Sequence, residues 1–266
     1  MRHDLPLLLA ALLLSGPACS PDPFEDEIGQ RSGAIMFGQS DPGHAAVGLL
    51  TLGASVCGGT LIASDAVLTA ARCAGAGSGS FVVGGYSYPV TKTALHPGYV
   101  TGSVNYDFAV VTLGQAVTGV APVTLGQTAP KKGDSVTIVG FGATGSGLGD
   151  GGYRRVTSNV VSEVQNLTFS FTGAKAGTGN ICDGDAGGAS FRIEGGQELL
   201  IGVHSAPSEP CGVAGLAAFA PRSCPSTTSL IDCRPLSPSI AVTQTVKLGP
   251  RSAPAPGSEI KTDGGC

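Results

Sequence analysis

Tryptophan is absent from this 266-residue chain, and aromatic residues of all kinds make up 5% of it. Charged residues are scarce too, at 13% against roughly 25% in an average globular domain. Lys and Arg nowhere gather into a run, and no row of aromatics offers a stacking platform, so nucleic-acid binding is excluded. The net charge of −4 is too small to call for a polyanionic or membrane-surface partner. Past residues 5–14 no apolar stretch approaches the roughly 18 residues of a membrane-spanning helix. None of the four histidines stands at ligand spacing from a cysteine pair, so no metal and no cofactor is expected. The glycine-rich stretch 142–152 precedes no helical pattern and lacks a Lys-Ser/Thr. It reads as a surface loop, not a phosphate cradle.

What the chain does have is glycine (42 residues), proline (18) and eight cysteines. Arg2, the apolar residues 5–14 and the small residues Gly16-Pro17-Ala18 make residues 1–18 an export leader. Cys19 follows directly and resembles the acylated cysteine of a bacterial lipoprotein. Two readings stay open there. Either Cys19 is lipidated and residues 19–34 are a polar tether to a membrane, or the leader is simply removed and 19–34 is propeptide-like. Both make the product exported, secreted or membrane-anchored, and the cysteine count suits an oxidising compartment.

From Ala45 the sequence alternates apolar and polar residues in short runs broken by Gly, Ser and Pro. Strands are expected at 46–52, 59–62, 66–69, 81–83, 88–94 and 108–113, then at 135–140, 155–163, 167–171, 189–193, 198–204 and 217–220. His44 and His96 fall on expected loops and read as surface residues. After Arg222 the chain runs in Ser, Pro, Thr and Gly with no helical apolar period. Residues 223–266 are either a disordered extension or the product of a frame shift near Phe219. Asn166-Leu167-Thr168 is a glycosylation sequon, meaningful only in a eukaryote.

Five features then follow in order: Cys57-Gly58-Gly59-Thr60-Leu61-Ile62, Leu68-Thr69-Ala70-Ala71-Arg72-Cys73, Tyr106-Asp107-Phe108-Ala109-Val110-Val111, Ile181-Cys182-Asp183-Gly184-Asp185-Ala186-Gly187-Gly188-Ala189, and the pair Cys182 and Cys211. Together they resemble the chymotrypsin/trypsin family, across about residues 35–222. The second departs from Thr-Ala-Ala-His-Cys by carrying Arg72 at the general base. The fourth departs from Gly-Asp-Ser-Gly-Gly-Pro by carrying Ala186 at the nucleophile.

The resemblance implies an all-β fold of two six-stranded antiparallel Greek-key barrels, about 35–120 and about 133–222, with a cleft between them. It implies disulfides Cys57–Cys73 and Cys182–Cys211, and leaves Cys224 and Cys233 to close a small loop in the tail. Cys19 and Cys266 are then left over, lipidated, free or joined. By the Ser-His-Asp template of acyl transfer, Asp107 is the retained orienting carboxylate, and the N–H groups of Gly184 and Ala186 form an oxyanion-hole-like nest. Asn180 falls at the base of the specificity pocket, and His204-Ser205-Ala206 on the strand that meets substrate backbone. Ile35-Met36-Phe37-Gly38 stands where the family has Ile-Val-Gly-Gly, and Asp185 would be the partner of a freed Ile35 amine. Cutting after Arg31, the nearest basic residue, would leave Ser32 first instead.

Arginine stays protonated and alanine offers only a methyl, so the expected reading is a protease fold without protease chemistry. A carboxylate buried at Asp107 would need a cation, and Arg72 is expected to supply it as a bidentate ion pair. The expected role is binding a peptide or protein partner, as a monomer. Two alternatives stay open: a working serine-type endopeptidase using unorthodox residues, and a decayed gene product.

Overall fold

The computed structural model describes residues 35–75, 78–175, 177–207, 211 and 214–219. The leader, Cys19, the segment before Ile35, the Cys224–Cys233 pairing, Cys266 and the tail after Arg222 lie outside the described residues. Among the described residues no helix is long and apolar enough to cross a membrane.

Six strands close the first barrel: β2 (Val47–Leu52), β3 (Ser55–Ala63), β4 (Ala66–Thr69), β5 (Gly79–Val83), β6 (Tyr86–Leu95) and β7 (Ala109–Leu113), in the order β2-β3-β4-β7-β6-β5. Period-two alternation turns Ala109, Val111 and Leu113 of β7 inward. Val111 and Leu113 meet Leu50, Leu61, Val67 and Phe81 in the barrel core. All four residues of β4 are buried, because its outer face lies in the seam with the second barrel. Burying each such large apolar side chain is worth about 1.5–3 kcal/mol.

The second half begins with β1 (Gln39–Ser40) and continues with β8 (Ser135–Gly140), β9 (Arg155–Val164), β10 (Thr168–Thr172), β11 (Ala189–Glu194), β12 (Gln197–Pro207) and β13 (Ala214–Phe219). The order is β1-β9-β10-β13-β12-β11-β8, and a further β8–β9 ladder returns β8 to β9, so six of the seven strands close on themselves. Ile35, Val136, Ile138, Phe169, Phe171, Ile181 and Ile201 fill this core. Strands expected from alternation all form, most with ends shifted by a residue or two. The two-residue β1, an edge strand on β9, carries too short a pattern to be read.

A third cluster joins the halves: Val47, Leu68, Phe108, Val139, Phe141, Phe191 and Val203. Beside it lies a polar clamp. His44 Nδ1 meets Asp41 Oδ1 at 2.9 Å, its Nε2 meets Glu198 Oε2 at 3.0 Å, and its ring stacks on Phe191 with centroids 5.2 Å apart. Arg154 Nε completes the clamp by donating to Asp41 Oδ2 at 3.2 Å, while its Nη1 donates to the Val47 carbonyl. His44 is thus a seam residue, not the surface residue expected from its loop context. Burial pushes its pKa down, but the hydrogen bond and charge of Asp41, joined by Glu198, outweigh this and hold it above the ordinary value.

A raised histidine pKa contributes stability that is fully present below about pH 6.5 and is lost as pH rises through the folded value. His44→Gln should therefore destabilise by about 1–3 kcal/mol near pH 5.5. Urea unfolding of both proteins at pH 5.5 and 8.5 should show that difference narrowing at the higher pH. An unchanged difference would mean that His44 is not held charged by the clamp.

Candidate functional site

Asp107 is set in place by its neighbours. Tyr106 takes a left-handed φ of +56°, unusual for a bulky residue, and its carbonyl accepts the Phe108 N–H at 2.7 Å. Its ring is held by stacking on His96, with centroids 4.5 Å apart and planes within 7°. His96 also tilts against Phe108, so it too is half-buried instead of a plain surface residue, and burial lowers its pKa. The sharp turn delivers Asp107 into the seam with no exposed surface.

Both carboxylate oxygens of Asp107 are engaged. Oδ1 accepts the backbone N–H of Arg72 at 2.9 Å, and Oδ2 accepts Arg72 Nε–H and the Ser205 hydroxyl, each at 2.6 Å. Arg72 sits on the 3-10 turn Ala71–Cys73 just after β4, fixed by the Cys57–Cys73 disulfide. The expected two-pronged guanidinium fork is not what forms. The Arg72 peptide N–H is already close enough to take one oxygen, which leaves Nε the other. The guanidinium keeps 31% exposure; Nη2 leans toward the Ser103 carbonyl at 3.5 Å, and Nη1 has no partner among the described residues.

The loop from Ile181 to Ala189 is pinned at several points. The Cys182–Cys211 disulfide forms. Gly58 N–H donates to the Ala186 carbonyl at 2.8 Å, and Gly187 N–H to the His204 carbonyl at 2.8 Å. Gly187, at φ +80°, lies so near β3 that a Cβ would stand 2.2 Å from the Gly58 carbonyl oxygen, which requires glycine there. The N–H groups of Gly184 and Ala186 have no partner among the described residues; Gly184 is exposed and Ala186 half-buried.

Asp185 is fully buried. Its oxygens accept Gly142 N–H and Cys182 N–H, each at 2.8 Å, yet burial outweighs these donors and pushes its pKa up to about 7. No hydrogen bond or ion pair joins it to Ile35. Ile35 has φ +57° and is buried among Val136, Ile138 and Phe171.

The expected pocket residues part company. Neighbours on a strand face opposite ways, and the ladder between β12 and β13 shifts between His204 and Ala206, which aims Ser205 at Asp107. Ser205 therefore orients the carboxylate, a role not read from sequence because it depends on that bulge. His204 is not a cleft residue. It is fully buried, with Nε2 3.1 Å from Ser190 Oγ and Nδ1 unpartnered, and burial pulls its pKa down to about 3. Asn180 is likewise fully buried; its amide donates weakly to the carbonyls of Phe171 and Gly173 and accepts Ile181 N–H. Ala206 lies on β12, paired with Leu216. Beside Gly184 a groove of about 420 Å³ runs between Leu49 and Val56 of the first barrel and Phe141, Leu148 and Asp183 of the second. Cys182, Asp183 and Cys211 cluster closely, but two of the three sulfur and oxygen ligands are spent in the disulfide.

Asp185 and His204 oppose one another in pH. The raised Asp185 contributes stability below about pH 3.8 that is lost as pH rises to about 7. The lowered His204 contributes stability above about 6.5 that is lost as pH falls toward 3. Between these limits the slopes cancel. Asp185→Asn should expose the histidine slope, with stability rising by up to about 1.4 kcal/mol per pH unit from pH 4 to 6.5. Denaturant midpoints across that range check it; a flat profile in the variant would exclude the pairing.

With this geometry in place, the comparisons are direct. The family model described as Trypsin matches residues 35–228. Trypsin delta of Drosophila melanogaster is 26% identical over 229 residues, 75% of this chain and 89% of that protein. Trypsin 5G1 of Aedes aegypti is 31% identical over 206 residues, 66% of this chain and 76% of that one. Among solved structures, neuropsin, a serine protease expressed in the limbic system of mouse brain, overlays with a TM-score of 0.61 at 21% identity, covering 70% of this chain and 94% of that one. The chain belongs to the trypsin family of serine proteases.

Proposed function

We propose that this trypsin-family chain is an exported, non-catalytic homologue that acts by holding a peptide or protein partner in its former catalytic cleft. One observation carries the reading: a guanidinium, Arg72, is ion-paired to the buried Asp107 at the position of the base, and Ala186 offers only a methyl group at the position of the nucleophile. Acyl transfer needs a nucleophile and a base that takes its proton. Guanidinium cannot accept one, and losing either partner alone costs a related hydrolase about 10⁶ in turnover.

Ser190 and His204, 3.1 Å apart, are the pair that an unorthodox mechanism would call on. Both have no exposed surface, so a substrate cannot reach them. Binding keeps physical support. The register of β11 with β12 ends at Ala189 and Val203, while β12 runs on to Pro207, so residues 205–207 have no β11 neighbour along that edge. An extended segment can add there, though Pro207 withholds one N–H. Two disulfides fit an oxidising compartment, in keeping with export.

Incubation of the full chain with a degenerate fluorogenic peptide pool should give no hydrolysis above blank, and Arg72→His/Ala186→Ser should gain it. Hydrolysis by the wild type at or above the rate of the reverted protein would contradict a non-catalytic role. A cooperative thermal transition is expected as well; its absence would favour a decayed product.

A further inference from the structure

We propose that Asp183–Gly184 is a site of spontaneous covalent modification, where Asp183 closes on the following peptide nitrogen and reopens as isoaspartate. In the first step the Gly184 nitrogen attacks the Asp183 side-chain carboxyl carbon. A C–N bond forms, the amide proton and the carboxyl hydroxyl leave as water, and a five-membered succinimide results. Water then adds to one of the two ring carbonyl carbons and breaks the C–N bond there. Opening at the side-chain carbon restores aspartate. Opening at the main-chain carbon leaves the chain running through the former side chain, with the old carbonyl now a free carboxylate. One water is lost and one regained, so no oxidant or co-reactant is required.

Nucleophile, electrophile and water are all open here. The Gly184 N–H has no partner among the described residues, so no hydrogen bond has to break before its nitrogen turns. Asp183 is exposed, and its carboxylate has no hydrogen bond or ion pair among the described residues. One carboxylate oxygen lies within 4.8 Å of the sulfurs of the Cys182–Cys211 disulfide, which have no proton to donate. Both residues line the groove of about 420 Å³, which admits water. Glycine at 184 leaves the nitrogen uncrowded, and the fold requires it: φ is +90°, and a Cβ would stand 3.1 Å from the Gly142 Cα.

Asp150–Gly151 supplies the contrast. It has the same two letters and is also exposed, but Asp150 Oδ1 accepts the Thr144 N–H at 3.0 Å. That bond holds the carboxylate in place and keeps its pKa below the ordinary value, and an ionised carboxylate is the poorer electrophile. Conversion at Asp183 also has a structural consequence. The Asp183 carbonyl accepts the Ala143 N–H at 2.7 Å and so ties its loop to the stretch 142–152. Isoaspartate takes that carbonyl out of the main chain and lengthens the loop, which loosens the tie and reshapes the groove wall.

Ageing the full chain at pH 6 with its disulfides intact tests this, with isoaspartate quantified at each site by methyltransferase labelling and peptide mapping. In the folded chain Asp183 should convert several-fold faster than Asp150, with a succinimide one water lighter appearing first. In urea the two rates should come together, because the contrast is made by the fold. Asp183→Glu, which would need a six-membered ring, should stop the modification. Asp183→Asn, which loses ammonia instead of water, should speed it. In the isolated isoaspartate form the Ala143 amide should exchange with solvent faster than in the fresh protein. Equal conversion at the two sites in the folded chain, or faster conversion at Asp150, overturns the proposal. A difference that persists in urea is set by the neighbouring letters and overturns the structural argument. Unchanged exchange at Ala143 overturns the loosening of the loop.

Discussion

A carboxylate with no exposed surface has to be answered by a cation or by donors, and the rest of the site follows from how Asp107 is answered. Removing an ionised carboxylate from water costs several kcal/mol even after relaxation. Arg72 returns charge and two N–H donors, and Ser205 adds a hydroxyl. The turn at Tyr106, the stack on His96 and the Cys57–Cys73 disulfide exist around this knot and fix both ends of it. Because Arg72 and Asp107 come from the first barrel and Ser205 from the second, the Ser205 hydrogen bond to Asp107 is also part of what joins the two halves.

The same scaffold holds the loop bearing Ala186 in shape. The loop bearing Ala186 is tied to β3 through Gly58, to β12 through His204, and to the segment at Gly142 through Asp185. None of these ties uses a serine hydroxyl or an imidazole. The backbone of this loop is therefore held without help from the side chains of Arg72 and Ala186. The His44 clamp, built from Asp41, Glu198 and Arg154, supports the opposite end of the seam.

Much of this was legible in the letters. Strand periodicity located β2 through β13, and the ordered landmarks around Cys57, Arg72, Asp107 and Ala186 gave the family and both disulfides of the described region. Side-chain direction at special backbone positions was not. Ser205 and His204 exchange their expected importance because a one-residue register shift on β12 decides which faces Asp107, and no propensity encodes it. Asn180 carries the right letter for a pocket floor, yet its amide is consumed by backbone partners that only the folded second barrel brings near. The seam role of His44 depends on Glu198, which is far off in sequence. Ile35 is buried in the second core, and Asp185 is met by the backbone donors of Gly142 and Cys182, which the letters alone do not reveal.

The interaction between Arg72 and Asp107 is most directly measured by a double-mutant cycle on folding stability, using Arg72→Gln, Asp107→Asn and the two together. If the guanidinium stabilises the buried carboxylate, each single change should cost about 1–3 kcal/mol and the double change should cost less than their sum by about 1 kcal/mol or more. Costs that add to within about 0.5 kcal/mol would show that the two groups fold independently, and that the arginine is not what holds the buried carboxylate in place.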